Sequence, residues 1–352
     1  MEPLHTISGS RPLRTAWLTM WLTVIWMCLT GAAAAPYSNP IVSTNLDNPF
    51  ITFYEGYYYF LASNDPDGPQ SEILITRATT LEGLKTGQTK SIFHPSSTLD
   101  SYTSPELHFI DGVWWIYYSR FDAKWDTNTY ESIAVLKGGT AVRDPFTYVG
   151  LLTNTTLSND PTILQLANQR YMVYKCRTSP VNQDVSYSIC IAPMVSPTEL
   201  GRTEVLTRAT EAWETPHDQA FGAMLGSPAV LNRAGKTFIT YSLDFNSVLF
   251  GMLAYKGSGD PMSASSWVKT GPHQSVAYHP TPNATCHASD NKFFLSPDET
   301  EIWSVYSVNE RSAECRDNRY VGAKMIGWNS DGSPDFSIPG LLNERQMGPS
   351  GE

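Results

Sequence analysis

Residues 105–119 read "PELHFIDGVWWIYYS": a short apolar strand, a polar turn, and an aromatic-rich strand that closes on a small residue. The same sentence stands four more times. It reads "NPFITFYEGYYYFLAS" to Ser63, "DPTILQLANQRYMVYK" to Lys175, "SPAVLNRAGKTFITYS" to Ser242 and "NKFFLSPDETEIWSVYS" to Ser307. Four of the five end on serine; the third ends on Lys175. The copies recur roughly every 55 to 70 residues, with strand-like pieces such as "EILITRATT", "SIAVLKGG", "SYSICIAPM" and "FGMLAYKG" between them. Long amphipathic helices are missing from the pattern. About four short strands per repeat describe a propeller blade, so five copies predict an all-β, five-bladed β-propeller. A pair of β-sandwiches also uses many short strands, but the regular repeat favours the propeller. Residues leading into the innermost strands would then converge on one mouth of a central channel.

Composition fits this picture. The chain has 352 residues, 41% of them hydrophobic and 12% aromatic, with 18 tyrosines and 16% charged residues. Aromatic residues suit strands better than helices. The formal net charge is -10, and no basic run is long enough to grip phosphates, which excludes nucleic acid as a partner.

The first 35 residues read as a secretory signal. Arg11 and Arg14 precede "AWLTMWLTVIWMCLTG" and then "AAAAP". An apolar run of about 20 residues also suits a membrane anchor, but the alanine run favours cleavage near Ala35. The expected product is a single propeller domain over 36–352, secreted, with no stable membrane span. Cys28 leaves with the signal, and Cys176, Cys190, Cys286 and Cys315 remain. An even number in a secreted chain implies two disulfides. Four cysteines allow three pairings; Cys176–Cys190 and Cys286–Cys315 are preferred because each pair flanks one local excursion. Asn154 and Asn283 head N-x-[ST] glycosylation sequons.

The candidate site residues stand around the strand starts: Asp47 and Asn48 before Pro49, Glu106 after Pro105, Asp160 before Pro161, Gly226 two positions before Pro228, and His287 in "TCHASDNKFF". Each has a plainer reading. An aspartate before proline caps a turn, and Glu106 and His287 are also candidates for buried structural roles. Tyr102, Trp125 and Trp213 are candidates for stacking on a ligand, although such rings more often pack blades together.

At these residues the chain resembles glycoside hydrolase family 43, five-bladed propellers acting on arabinose- and xylose-containing polymers. The resemblance rests on the common order of "NPI" at 39–41, "NPFITFYEGYYY", "SPELHFIDGVWWIYYS", "NDPTIL", "SPAVLNRAGK", "DPMSASSW" and "CHASDNKFFLSPDETEIW". It implies an inverting scheme in which one carboxylate activates water, a second protonates the leaving oxygen, and a third aspartate tunes the acid. The resemblance places the base at Asn48, and an amide is no base. Asp47 replaces it only if the strand start is bulged. The resemblance places the acid at Gly226, which carries no proton. Asp160 matches the third carboxylate and His287 the axial histidine. That histidine's usual neighbours have changed to "CHA", so no metal and no cofactor is expected.

Three functions follow as expectations. The first is a repurposed, non-hydrolytic propeller catalysing a hetero-Diels–Alder-type cyclisation of apolar small molecules in fungal secondary metabolism, with Asp160, His287 and Glu106 as polar contacts. The second is a family 43 glycosidase acting on a pentose-containing glycan, with Asp47 as base and Glu211 or Glu214 as an imported acid. The third is a non-catalytic carbohydrate-binding propeller.

Overall fold

A computed structural model describes residues 34–43, 46–64, 72–94, 100–122, 131–153, 157–178, 186–215, 223–243, 249–274, 286–309, 319–336 and 342–352. Five antiparallel meanders follow one another. Blade one is Leu46–Tyr54, Tyr57–Asn64, Ile73–Ala78 and Gln88–Phe93. Blade two is Asp100–Ile110, Val113–Asp122, Glu131–Lys137 and Thr147–Leu151. Blade three is Ser158–Leu166, Gln169–Arg177 and Tyr187–Ser196, the last pairing with both Glu199–Leu200 and Glu204–Thr207. Blade four is Leu225–Arg233, Lys236–Leu243, Leu249–Tyr255 and Trp267–Gln274. Blade five is Cys286–Leu295, Ile302–Asn309 and Arg319–Met325. The first strand of each blade adjoins that of the next, and blade five returns to blade one. The repeat read in the sequence is therefore the inner hairpin of each blade of a five-bladed propeller, not a pair of sandwiches.

The inner hairpins of blades one, two and four turn on two residues with positive φ: Glu55-Gly56, Asp111-Gly112 and Ala234-Gly235. A two-residue turn of this kind matches the right-handed twist of the strands it joins, and glycine takes its second position at no steric cost.

Blade five borrows its outer edge from the start of the chain. Ile41 N–H donates to Val321 O and Val321 N–H to Val42 O, both at 2.9 Å. The Asn39 side chain brackets Ala323, donating to its carbonyl at 3.0 Å and accepting from its N–H at 2.9 Å. Pro36–Ser38 pairs with Arg345–Met347. The ring is thus closed by main-chain hydrogen bonds that would otherwise be an exposed sheet edge. These closing residues lie just beyond the expected cleavage point; residues 1–33, and with them the signal reading, lie outside the described residues. No helix among the described residues is long and apolar enough to cross a membrane.

Both faces of each sheet are covered, so the core divides into five interblade clusters. Tyr58, Tyr117, Tyr118, Tyr174, Tyr241 and Tyr306 are fully buried. A wedge between splayed sheets needs wide side chains, which explains the tyrosine-rich inner strands. Cys176 and Cys190 form a disulfide across neighbouring strands of blade three, with Cα atoms 5.9 Å apart. Cys315 of the second expected bridge lies outside the described residues, as do Asn154, Asn283 and Trp125.

Candidate active site

The starts of blades one to four share one irregularity. The pairing register shifts between Asp47 and Phe50, Thr103 and Glu106, Asn159 and Thr162, and Gly226 and Ala229. Each shift contains a proline preceded by a residue with positive φ: Asn48 (53°), Ser104 (52°), Asp160 (53°) and Ser227 (44°). Proline has no N–H for the ladder, so it lodges at a bulge, which bends the strand and re-aims the residue before it. A left-handed backbone at a non-glycine residue costs on the order of 1–3 kcal/mol and clusters at functional sites. Blade five has two register shifts, between Cys286 and Ser289 and between Ser289 and Lys292, and no proline there.

The re-aimed residues meet one another. Ser104 Oγ donates to Asp160 Oδ1 at 2.7 Å and stands 3.0 Å from Asn48 Oδ1. A hydroxyl has one proton to give, and the carboxylate is the stronger acceptor; turning the amide over lets Asn48 Nδ2 donate to Ser104. Asp160 Oδ2 accepts the Ser227 N–H at 3.0 Å, and Asp160 N–H donates to Ser119 Oγ at 2.8 Å. Asn48, Ser104, Asp160 and Ser227 therefore form one hydrogen-bonded arc across four blades. Asp47, 7% exposed, accepts the Asn48 N–H at 2.9 Å.

Two polar networks flank the arc. Below it, Glu106 is 1% exposed, and its Oε1 lies 2.7 Å from Lys292 Nζ in an ion pair whose angle falls short of a directed hydrogen bond. Glu106 Oε2 is 2.8 Å from His108 Nε2, and Lys292 Nζ donates to Pro228 O at 2.9 Å. Burial pushes the Glu106 carboxyl up, but the Lys292 charge and the His108 contact more than offset it and hold it below its ordinary value. The network joins blades two, four and five.

Beside the arc, between blades two and three, Glu131 Oε2 accepts from Asn159 Nδ2 at 2.9 Å and from Tyr187 OH at 3.5 Å. Burial raises the Glu131 carboxyl above its ordinary value; the Lys175 charge offsets part of that, and the Asp160 charge adds to it. Lys175 Nζ stands 4.3 Å from the centroid of the Tyr187 ring. The Lys175 stem also explains Gly226: a Cβ there would lie 3.1 Å from Lys175 Cδ and 3.5 Å from Asp160 Oδ2. Gly226 therefore does not open an empty space; the lysine stem reaches into it.

The structure thus brings Asp47, Asn48, Glu106, Asp160 and Gly226 into one neighbourhood. It corrects the alignment of two of them. The counterpart of Asn48 and Asp160 is Ser104 in blade two, not Glu106, and Ser227 in blade four, not Gly226. His287 lies on the first strand of blade five, but its side chain is outside the described residues. Tyr102 is corrected from ligand stacking to packing: it is 3% exposed and lies against Phe93 and Tyr118 with ring centroids 5.4 and 5.2 Å away. Trp213 packs on the apolar cluster between blades three and four. Glu214 is corrected too. It accepts from Tyr241 OH at 2.7 Å and from Lys269 Nζ at 2.8 Å, and although burial raises its carboxyl, these bonds hold it below the ordinary value. Glu211 caps the same short turn. Neither is a proton donor for the arc.

Sequence reasoning missed Ser104, Ser227, Lys292, Glu131 and Lys175. The signal for the first two was an X-Pro pair opening four of the five copies. The signal for Lys175 was its place as the one non-serine closing residue: Ser63, Ser119, Ser242 and Ser307 pair with Asp47, Thr103, Gly226 and Ser289, and Lys175 pairs with Asn159. Among the described residues, no group of three His, Cys, Asp or Glu is placed to hold a metal.

Comparison with known proteins agrees with this architecture. The chain is 30% identical over 345 residues to an extracellular exo-alpha-(1->5)-L-arabinofuranosidase of Streptomyces avermitilis, covering 90% of this chain and 68% of that protein. It is 26% identical over 327 residues to alpha-L-arabinofuranosidase 43 of Humicola insolens, covering 89% and 65%. The chain thus spans about two thirds of the length of these relatives. Among solved structures, an alpha-L-arabinofuranosidase from Lactobacillus brevis superposes with a TM-score of 0.75 at 25% identity, over 88% of this chain and 98% of that one. These similarities overturn the expectation of a cyclase of apolar molecules in secondary metabolism; they ally the chain with glycosidases. The geometry agrees, because the strand starts present a polar arc that includes Asp160 and is flanked by Asp47 and Glu131, not an apolar surface for apolar molecules. The sequence profile of glycosyl hydrolases family 43 matches residues 37–334, from the closing strand through all five blades, and the chain belongs to that family.

Proposed function

We propose that the chain is a secreted glycosidase that hydrolyses α-L-arabinofuranosides. The observation that supports this most is the similarity to the Streptomyces exo-acting enzyme over 90% of the chain, combined with a carboxylate, Asp160, that accepts hydrogen bonds from blades two and four. In this reading Asp47 is the base. The condition for that role was a bulged strand start, and the register shift that begins after Asp47 is in keeping with it. Asp47 takes a proton from the attacking water, Asp160 orients the arc, and Glu106, held ionised by Lys292, fixes blade two against blades four and five.

Purified mature chain should release arabinose from 4-nitrophenyl α-L-arabinofuranoside and from arabinan oligosaccharides. Asp47→Asn should lower kcat by about 10²–10⁴-fold, and Asp160→Asn should lower it through a weaker arc while leaving the protein folded. Hydrolysis no faster than the uncatalysed rate with every such substrate would overturn the reading. A second reading, a non-catalytic arabinan-binding propeller, draws on Asn48 and Gly226 at the two positions where the resemblance expects proton transfer. It predicts saturable binding of arabinan oligosaccharides with no turnover.

A further inference from the structure

We infer that Glu131 is the proton donor of this site, standing in from blade two for an acidic side chain at position 226. The inference rests on the glycosidase reading above. Its first support is position. Glu131 opens the third strand of blade two and pairs with Phe121, yet its carboxylate crosses to blade three, where the Asn159 amide holds it at 2.9 Å. Asn159 immediately precedes Asp160 and occupies in blade three the register position that Gly226 occupies in blade four. A glutamate at 226 would approach Asp160 from the blade-four side, where a Cβ lies 3.5 Å from Asp160 Oδ2. Glu131 approaches the same aspartate from the blade-two side.

Its second support is the state of the neighbouring carboxyls. Glu106 and Glu214 are each pinned by a lysine at 2.7 and 2.8 Å and held ionised, so they have no proton to give. Glu131 is half-buried and faces Lys175 and Arg177, which favour its charge, and Asp160 and Tyr187. Burial and the Asp160 charge favour the protonated acid that a donor must be before the reaction. After the transfer, Lys175 is placed to stabilise the carboxylate that remains. Glu352 is also raised, but its carboxylate binds the Leu81 N–H by the ring closure, away from the arc.

The step balances without a further reagent. Glu131 gives its proton to the glycosidic oxygen as the C1–O bond breaks, and the electron pair of that bond stays with the departing alcohol. Water bonds to C1 and passes a proton to Asp47. Exchange with solvent returns a proton to Glu131 and removes one from Asp47. Among the described residues, Asn159 and Tyr187 donate to Oε2, and the scheme places the proton on Oε1.

The test compares two leaving groups in the mature chain. Glu131→Gln should lower kcat/KM by about 10²–10⁴-fold on arabinobiose, whose leaving alcohol needs a proton. It should change the rate on 2,4-dinitrophenyl α-L-arabinofuranoside less than about threefold, because that phenolate departs unaided. The alkaline limb of the kcat/KM–pH profile on arabinobiose should vanish in the variant. Equal losses on both substrates would mark a structural role and overturn the inference, as would no loss on either. Thermal melting checks that the variant is folded. If Glu131→Gln does not fold, Glu131→Asp keeps the charge and should slow arabinobiose alone; equal slowing of both substrates then overturns the inference. A wild-type chain that hydrolyses neither substrate overturns the glycosidase reading and this inference together, whereas an active wild type with an unaffected variant overturns only the assignment of Glu131.

Discussion

Blade three starts Asn159-Asp160-Pro161 and blade four starts Gly226-Ser227-Pro228. Both have the register shift, both have a left-handed residue before the proline, and both open a nine-residue strand. Their side chains differ in kind. Blade three offers an amide that holds Glu131 and a carboxylate that holds Ser104 and Ser227; blade four offers a bare Cα and a backbone N–H. The difference extends to the partner strand, where blade three has Lys175 opposite Asn159 and blade four has Ser242 opposite Gly226. The lesson is that the bulged start is an aiming device common to four blades, while the chemistry depends on what each one aims. A large residue closing the third copy is matched by the smallest one at the next strand start, because both lie between the same two blades.

The comparison breaks first at Lys292, which anchors the start of blade four through Pro228 O and neutralises Glu106. Lys292→Met removes the lysine beside a buried carboxylate and leaves it, among the described residues, only the His108 contact; it should destabilise the fold by up to about 3–5 kcal/mol at neutral pH, read by urea unfolding. The acid dependence should shrink or invert as well. In the wild type the Glu106 pKa is lowered in the folded state, so its contribution is present above the unfolded-state value, about 4.3, and is lost as pH falls through the folded value. In the variant the Lys292 charge is gone and burial is opposed only by the His108 contact, so acidification through the same range should destabilise less, or stabilise. An unchanged acid profile would show that the pair is not coupled to folding.

The disulfide sharpens the contrast next. Cys176–Cys190 staples two strands of blade three. Replacing both cysteines by alanine should cost about 2–4 kcal/mol, measured as a lower urea midpoint. It should also loosen the neighbourhood of Lys175, next to Cys176, before that of Ser242 in blade four. Hydrogen exchange that rises equally in both blades would remove the distinction.

The smallest effect concerns the matched sizes at 175 and 226. Gly226→Glu must displace the Lys175 stem, since its Cβ falls 3.1 Å from Lys175 Cδ, and should cost about 1–3 kcal/mol for overpacking. Adding Lys175→Ser, the residue type that closes the other four copies, should recover part of that loss. Loss of the Lys175–Tyr187 contact, worth about 0.5–1 kcal/mol, sets a limit on the recovery. Strictly additive costs in the double variant would show that the two positions do not share space.

Much of the architecture was legible because it is periodic. Strands that alternate turn and aromatic run, as in 105–119, must pair with themselves first, so the hairpins and their number follow from local pattern. The blade-three bridge was legible for the same reason, since Cys176 and Cys190 lie on consecutive strands. The ring closure was not legible. Asn39 looks like part of a short motif, and only the return of Arg319–Met325 beside it shows that it brackets Ala323. The site was half legible. Asp160 and Asn48 stand out before their prolines, whereas Ser104 looks ordinary until its hydroxyl is found between them.

From the chain alone came the five copies, the acidic balance, the family resemblance and the two residues, Asn48 and Gly226, that depart from it. These are properties of spacing and residue type, which survive without coordinates. Tertiary structure alone decided which side chains share a neighbourhood. Glu106 faces Lys292 some 186 residues away in sequence, and Glu131 reaches Asn159 across a blade boundary. Ionisation and proton donation depend on such through-space distances and on burial, and closing a ring of sheets brings together residues whose separation along the chain carries no trace of their contact.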